Sequence, residues 1–286
     1  MHLVCKKAQE KCFGFTINRI MNYNKIANKI RKNILEIIYN SASGHIGGSL
    51  SCVDILVALY FGDILKINKK NLTTPNRNRF IMSKGHATAA IYSTLYNSGI
   101  ISKKILDTYG KNNSYLATHT SSKVPGIEFD TGSLGHGLGI ACGLAYSSKL
   151  KKLNNQIYCL ISDGELFEGS IWEAIIFASN LKLNNLTIII DNNKQIVMDK
   201  LSDKLKFDFL FKKMDSFNFN CFEVDGHNID SLLKVLKKSK IKRNRTNVII
   251  CNTIKGKGIS FMEGNLKWHH SIPNQEEFMI AKNELI

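Results

Sequence analysis

The amino-acid sequence predicts an α/β fold: a doubly wound, mostly parallel sheet flanked by helices. Three observations carry this expectation. Residues 157–161 and 186–190 are short, continuously apolar runs, the pattern of strands buried on both faces. Each run stops abruptly, the first before Asp163 and Gly164, the second at Asp191, Asn192 and Asn193. Between them, Ile171, Trp172, Ile175, Ile176, Ala178 and Ser179 recur at helical spacing within 168–181. Strand, helix and strand in that order make a right-handed crossover that lays the two strands side by side. Ligands of such sheets bind beyond the carboxyl ends of the strands. Asp163 and Asn193 are therefore expected to face each other across one crevice.

The rest of the chain adds elements in order. Residues 22–38 put Ile26, Ile30, Ile34, Ile37 and Ile38 on one helical face. Residues 41–51 read as a small-residue loop whose only titratable group is His45, followed by a helix over 53–61. Residues 79–87 read as a strand that ends in a Gly-containing turn and passes into a helix over 87–97. His86 then stands at a helix N-terminus, where anions are favoured. His119 precedes the Gly-rich stretch 125–138, whose backbone N–H groups suit an anionic ligand. That stretch leads into a small-residue helix over 138–150. Residues 200–216 read as a surface connection, 219–224 as a strand and 230–238 as a helix with a solvated basic face. A last strand covers 247–252. The segment Thr253-Ile-Lys-Gly-Lys-Gly258 does not have the spacing of a P-loop.

Composition bounds the class. The 286 residues are 44% hydrophobic, enough for a substantial core. The chain reads as one domain over 21–286, preceded by residues 1–20 as a non-native or disordered extension, with Met21 the expected start. No apolar run is long enough to span a membrane, and the N-terminus lacks a signal-peptide pattern. The seven Cys form no C-x-x-C pair, which points to reduced thiols and a cytoplasmic setting. The net charge of +16 raises the question of nucleic acid. Lys, Asn and Ile are abundant throughout, however, as an A+T-rich coding sequence produces, and that composition is the better reading of the charge, with anionic substrates as a contributing reason.

The pair Asp163 and Asn193 has specific chemistry. A carboxylate oxygen and an amide oxygen suit Mg²⁺ or Ca²⁺ and not zinc. Mg²⁺ usually takes one or two protein ligands, with phosphates and water completing its shell. Gly164 lets the backbone approach a phosphate closely. Together these residues read as a metal-diphosphate anchor.

Asp163-Gly164 and Asn192-Asn193, with 193 − 163 = 30 residues between the acid and the second amide, resemble the thiamine diphosphate fingerprint that begins Gly-Asp-Gly and ends Asn-Asn. Ser162 stands in place of the first Gly. Ser43-Gly-His-Ile-Gly-Gly-Ser-Leu50, Ser83-Lys-Gly-His-Ala87, 125–137 and 261–269 resemble segments of transketolases, in the family's order. The resemblance implies that Asp163, Asn193 and the Gln195 carbonyl hold Mg²⁺, with Ca²⁺ or Mn²⁺ as substitutes. It implies that His86, Gly132, Leu134, Gly164 and Asn193 line thiamine diphosphate, and that His45, His119 and His269 bind sugar hydroxyls or relay protons. His270 replaces a Gly usual in the family after that last imidazole. Glu168 would lie at the contact with a neighbouring chain. The implied activity moves a two-carbon ketol unit from a ketose phosphate to an aldose phosphate, as in the pentose phosphate pathway. In the family, the carboxylate that activates the aminopyrimidine ring comes from a second domain. The expectation is therefore an N-terminal subunit that pairs with a C-terminal transketolase subunit carrying the pyrimidine-binding domain, in an α₂β₂ heterotetramer. Other readings are a deoxyxylulose phosphate synthase-like or 2-oxo-acid dehydrogenase subunit, and a non-catalytic remnant; nucleic-acid binding is the least favoured.

Overall fold

Parallel pairing of five strands organises the molecule, seen in a computed structural model that describes residues 23–196, 199–200, 209–241 and 244–285. The expected extension over 1–20 lies outside the described residues. The strands are β1 (Arg79–Met82), β2 (Ile157–Ser162), β3 (Leu186–Asn192), β4 (Gln195–Ile196), β5 (Asp199–Lys200), β6 (Asn220–Asp225) and β7 (Asn247–Asn252). The main sheet has the order β1-β2-β3-β7-β6, with every pairing parallel, and β4 and β5 form a short antiparallel ladder. The helices are α1 (23–41), α2 (Ile46–Ser51), α3 (Val53–Phe61), α4 (Thr88–Asn97), α5 (Lys103–Leu106), α6 (His136–Leu150), α7 (Gly169–Asn180), α8 (Leu210–Ser216), α9 (Ile229–Ile241) and α10 (Gln275–Glu284).

The unbroken apolar runs follow from helices on both faces. Tyr158, Leu160, Ile189 and Ile249 point into a core shared with α1, α3 and α4. Cys159, Ile161, Ile188, Ile190 and Ile250 point into a second core against α6 and α7. Successive residues thus enter opposite cores, so the middles of these strands are apolar on both faces. Register then sets the site. Ile157 pairs with Leu186 and Ser162 with Asp191, so β2 and β3 finish level. Asn192 pairs with Asn252, bringing the end of β7 to the same edge.

Two segments differ from the sequence reading. The stretch 41–51 is not all loop: Ile46–Ser51 is helical and wholly buried. Its glycines serve close approach. A Cβ on Gly47 would lie 2.6 Å from the Trp268 carbonyl oxygen, and one on Gly48 would lie 3.2 Å from His86 Nε2. Only Gly44, with φ of +136°, needs a glycine for its backbone conformation. The expected surface connection over 200–216 contains α8, because Leu210 and Met214, one turn apart, reach the second core. Residues 201–208 of that stretch lie outside the described residues.

The Gly47 contact gives a clear expectation. Gly47→Ala forces a methyl into a backbone carbonyl that has no rotamer to escape with, and should cost about 2–3 kcal/mol. Scanning calorimetry should show a fall of several degrees in the thermal midpoint. Gly139→Ala is the control: nothing lies within 4 Å of its Cβ position, so its midpoint should hold or rise slightly.

Candidate active site

The level strand ends open into one cleft. The residues expected to bind metal, coenzyme or sugar all line it: His45, His86, His119 and His269, Gly132 and Leu134, and Asp163, Gly164, Asn193 and Gln195. Gly48, Ser162, Ile196 and Lys255 complete the wall.

Asp163 and Asn193 are tied into a single turn. Asp163 Oδ2 accepts from the Lys194 N–H at 2.6 Å, Oδ1 accepts from the Gly164 N–H at 2.9 Å, and Asn193 Oδ1 accepts from the Gln195 N–H at 3.1 Å. Lys194 takes a left-handed conformation, φ 59°, to make that turn. Gly164 lines the cleft, and a Cβ there would come within 3.3 Å of the Ile196 side chain, so glycine leaves room at this point of the wall. Burial, then the neighbouring Asp191, pushes the Asp163 carboxyl up to about 7. A divalent cation would relieve that crowding of negative charge. Among the described residues no three His, Cys, Asp or Glu side chains converge to cage a metal. A cation here would thus depend on ligand oxygens, as Mg²⁺ commonly does. On donor chemistry, and on the room that glycine leaves at position 164, the site suits a metal and a diphosphate.

Beneath this turn lies a charge pair that sequence reasoning missed. Lys84 and Asp191 are both fully buried and form an ion pair. Lys84 Nζ also donates to the Gly48 carbonyl at 3.0 Å. Asp191 accepts from Ser51 Oγ at 2.6 Å and from the Thr253 hydroxyl. Burial alone would lower the Lys84 ammonium, but Asp191 outweighs it and holds Lys84 above its ordinary value. Burial likewise pushes Asp191 up, and Lys84 with the two hydroxyls holds it below the usual carboxylate range. Glu165 is a second buried brace: it accepts from Ser83 Oγ at 2.6 Å, from the Gly135 N–H at 3.1 Å and from the Ser162 N–H at 2.9 Å. The sequence signal for these groups was faint: a polar residue at the end of an apolar strand, and a Lys beside Gly85.

Imidazoles form the opposite wall. The His45 ring centroid lies 5.4 Å from His86, 5.9 Å from His119, 5.2 Å from His269 and 4.6 Å from the exposed His270. Among the described residues nothing pairs with the buried Nδ1 of His45. Burial first, then the neighbouring imidazoles, lowers His45 to about 3; burial, then Lys255, lowers His269 to about 4. His86 is also held well below its ordinary value, by burial and then by Lys84. These rings are therefore neutral at physiological pH, each with one donor and one acceptor nitrogen. Lys255, also missed, reaches in from the end of β7. Its Nζ lies 2.9 Å from His269 Nδ1. Burial, then Lys84, lowers it to about 8. Its position directly after the last strand was the signal that could have found it. Glu168 is exposed beside the cleft, at the start of α7.

A doubly wound α/β protein with a glycine-lined, acid-and-imidazole cleft at its strand ends is the class that these features define. The family described as transketolase, thiamine diphosphate binding domain, matches residues 22–285, and the chain belongs to it. It is 42% identical over 263 residues to one of the apulose-4-phosphate transketolase subunits of Actinobacillus succinogenes, covering 91% of this chain and 95% of that one. It is 38% identical over 260 residues to the 6-deoxy-6-sulfo-D-fructose transketolase subunit SqwG of a Clostridium species, covering 91% and 94%. The solved transketolase of Campylobacter jejuni superposes with a TM-score of 0.88 at 30% identity, over 93% of this chain and 43% of that one. No described helix is long and apolar enough to cross a membrane.

Acid should destabilise the protein through the imidazoles. Their folded values lie below the unfolded value of about 6.5, so the unfolded chain binds more protons as pH falls below that value. Stability should drop from about pH 6.5 down towards 4 and 3, where the folded His269 and His45 themselves protonate. Each half-buried ring should contribute less than about 1 kcal/mol after solvent screening. In His45→Gln, which cannot titrate, the fall in thermal midpoint between pH 7 and pH 5 should be smaller than in the wild type.

Proposed function

We propose that this chain is the diphosphate-binding subunit of a two-chain transketolase. With thiamine diphosphate and Mg²⁺ it would transfer a two-carbon ketol unit between a ketose phosphate and an aldose phosphate, as a transferase of the cytoplasm. The observation that carries this is the turn that brings Asp163 and Asn193 together beside Gly164, in one cleft with His45, His86, His119 and His269.

In this reading Asp163 and Asn193 side chains and the Gln195 carbonyl hold Mg²⁺, and Ca²⁺ or Mn²⁺ substitutes. Gly164 gives room to the diphosphate. Lys255, the cation nearest His269, adds positive charge beside it. Gly132, Leu134 and His86, which line the cleft, would contact the coenzyme. Bound thiamine diphosphate supplies the carbon nucleophile and the electron sink. His45, His119 and His269 hold the sugar hydroxyls. A neutral imidazole takes a hydroxyl proton on its free nitrogen and returns it when the acceptor aldehyde is bound. His45 and His269 are held in the neutral form, so each has one unprotonated ring nitrogen.

Two relatives of which this chain covers 95% and 94% are themselves named as subunits, which supports a second polypeptide. That partner would be a C-terminal transketolase chain with the pyrimidine-binding domain, docked near Glu168 in an α₂β₂ assembly. The relatives' names, one for a branched-sugar phosphate and one for a sulfonated ketose, favour ketose donors as a class. A deoxyxylulose phosphate synthase-like subunit is the second reading, and xylulose 5-phosphate set against pyruvate as donor separates the two.

Asp163→Ala should weaken metal-dependent thiamine diphosphate binding by at least about 100-fold in calorimetric titration; unchanged affinity would remove the anchor. Ketol transfer from xylulose 5-phosphate should be absent with the purified chain and appear on adding the partner. Robust turnover by the chain alone would defeat the two-chain reading.

A further inference from the structure

We propose that His227 is a positioning residue for the cleft, holding Lys255 in place through the backbone of Ile254. His227 neither lines the cleft nor enters the chemistry above. It sits in the turn after β6, where its backbone N–H donates to Asp225 Oδ1 at 2.9 Å. Its Nε2 lies 2.8 Å from the Ile254 backbone nitrogen. A backbone N–H can only donate, so Nε2 is the acceptor. Its Nδ1 lies 2.8 Å from Asp54 Oδ2, and a carboxylate only accepts, so Nδ1 carries the hydrogen. The two contacts together select one neutral tautomer.

Asp54 is buried and accepts from Arg31 Nη2 at 2.5 Å, and Arg31 Nε donates to the Lys257 carbonyl at 3.2 Å. The chain His227–Asp54–Arg31 thus grips the loop at Ile254 and at Lys257, on both sides of Lys255. Between those grips the Gly256 N–H donates to the Gly47 carbonyl at 3.0 Å, and the Lys255 stem packs on Gly47. Lys255 has a long, rotatable side chain with a large entropy to lose. Fixing its backbone from two directions is what brings its ammonium to His269 and not into solvent. The acceptor nitrogen of His227 is the one part of this device that a single substitution removes cleanly.

The consequence for the coenzyme rests on the transketolase reading; the hold on Lys255 does not, and the test separates them. His227→Asn keeps a donor for Asp54 and loses the acceptor for Ile254. His227→Gln places an acceptor near the old Nε2. In the full-length chain, ¹³Cε-lysine NMR should show Lys255 titrating near 8 in the wild type. It should titrate near that value in His227→Gln too, and move towards an ordinary lysine in His227→Asn. Calorimetry with Mg²⁺ and thiamine diphosphate should show an affinity about tenfold lower in His227→Asn and nearly unchanged in His227→Gln. Against a Lys255→Ala background, His227→Asn should bring no further loss, since the effect passes through Lys255. Equal effects of Asn and Gln, an unmoved Lys255 signal, or additive losses in the double variant would overturn the proposal. A wild type that binds no coenzyme, with Lys255 still moving in His227→Asn, would sink the coenzyme reading and leave the positioning role standing.

Discussion

The cleft depends on the buried ion pair between Lys84 and Asp191. It joins the turn after β1 to the end of β3, and through Ser51, Gly48 and Thr253 it also ties down α2 and the loop after β7. Removing one partner of such a pair leaves an uncompensated charge in the interior, at about 3–5 kcal/mol. The pair also has a local task. Asp163 and Asp191 stand close enough for Asp191 to push Asp163 up, and Lys84 is the cation that makes their proximity tolerable.

Around this pair, missing side chains do as much as present ones. A Cβ on Gly85 would strike the Thr131 carbonyl at 2.6 Å, so glycine there lets the 131–135 loop close over the cleft. A Cβ on Gly132 would come within 3.0 Å of the His119 ring. The burial that removes solvent from His45, His86 and His269 also lowers their hold on a proton. Geometry and protonation in this cleft therefore have one cause, and a change that loosens the walls would alter both.

Most of the fold was legible because its signals are local. Two apolar runs with a helical interval between them specify β2, α7 and β3, and the level ends of those strands follow from the crossover. Residues brought together at strand ends were also legible, since a strand's polarity says which end carries the ligand. What escaped was whatever depends on burial. Nothing about Lys84, Lys255 or Asp54 as letters distinguishes them from the many solvated charges of a chain with 39 basic residues. The helical state of Ile46–Ser51 escaped because two adjacent glycines argue for a turn until one sees Trp268 and His86 pressed against them. α8 escaped because seven residues are too few for periodicity to declare itself.

The clasps around the cleft join parts of the chain that are far apart. Lys84 and Asp191 are 107 positions apart, Ser51 and Asp191 140, Asp54 and His227 173, and Arg31 and Lys257 226. Contacts of such long range close large loops, and their entropy must be met before they give anything back. Lys84–Asp191 and Ser51–Asp191 need the chain only as far as β3, whereas the grips on the loop carrying Lys255 need it through Lys257. A chain that holds every cleft residue up to Asn193 therefore still lacks the wall that Lys255 and His269 complete.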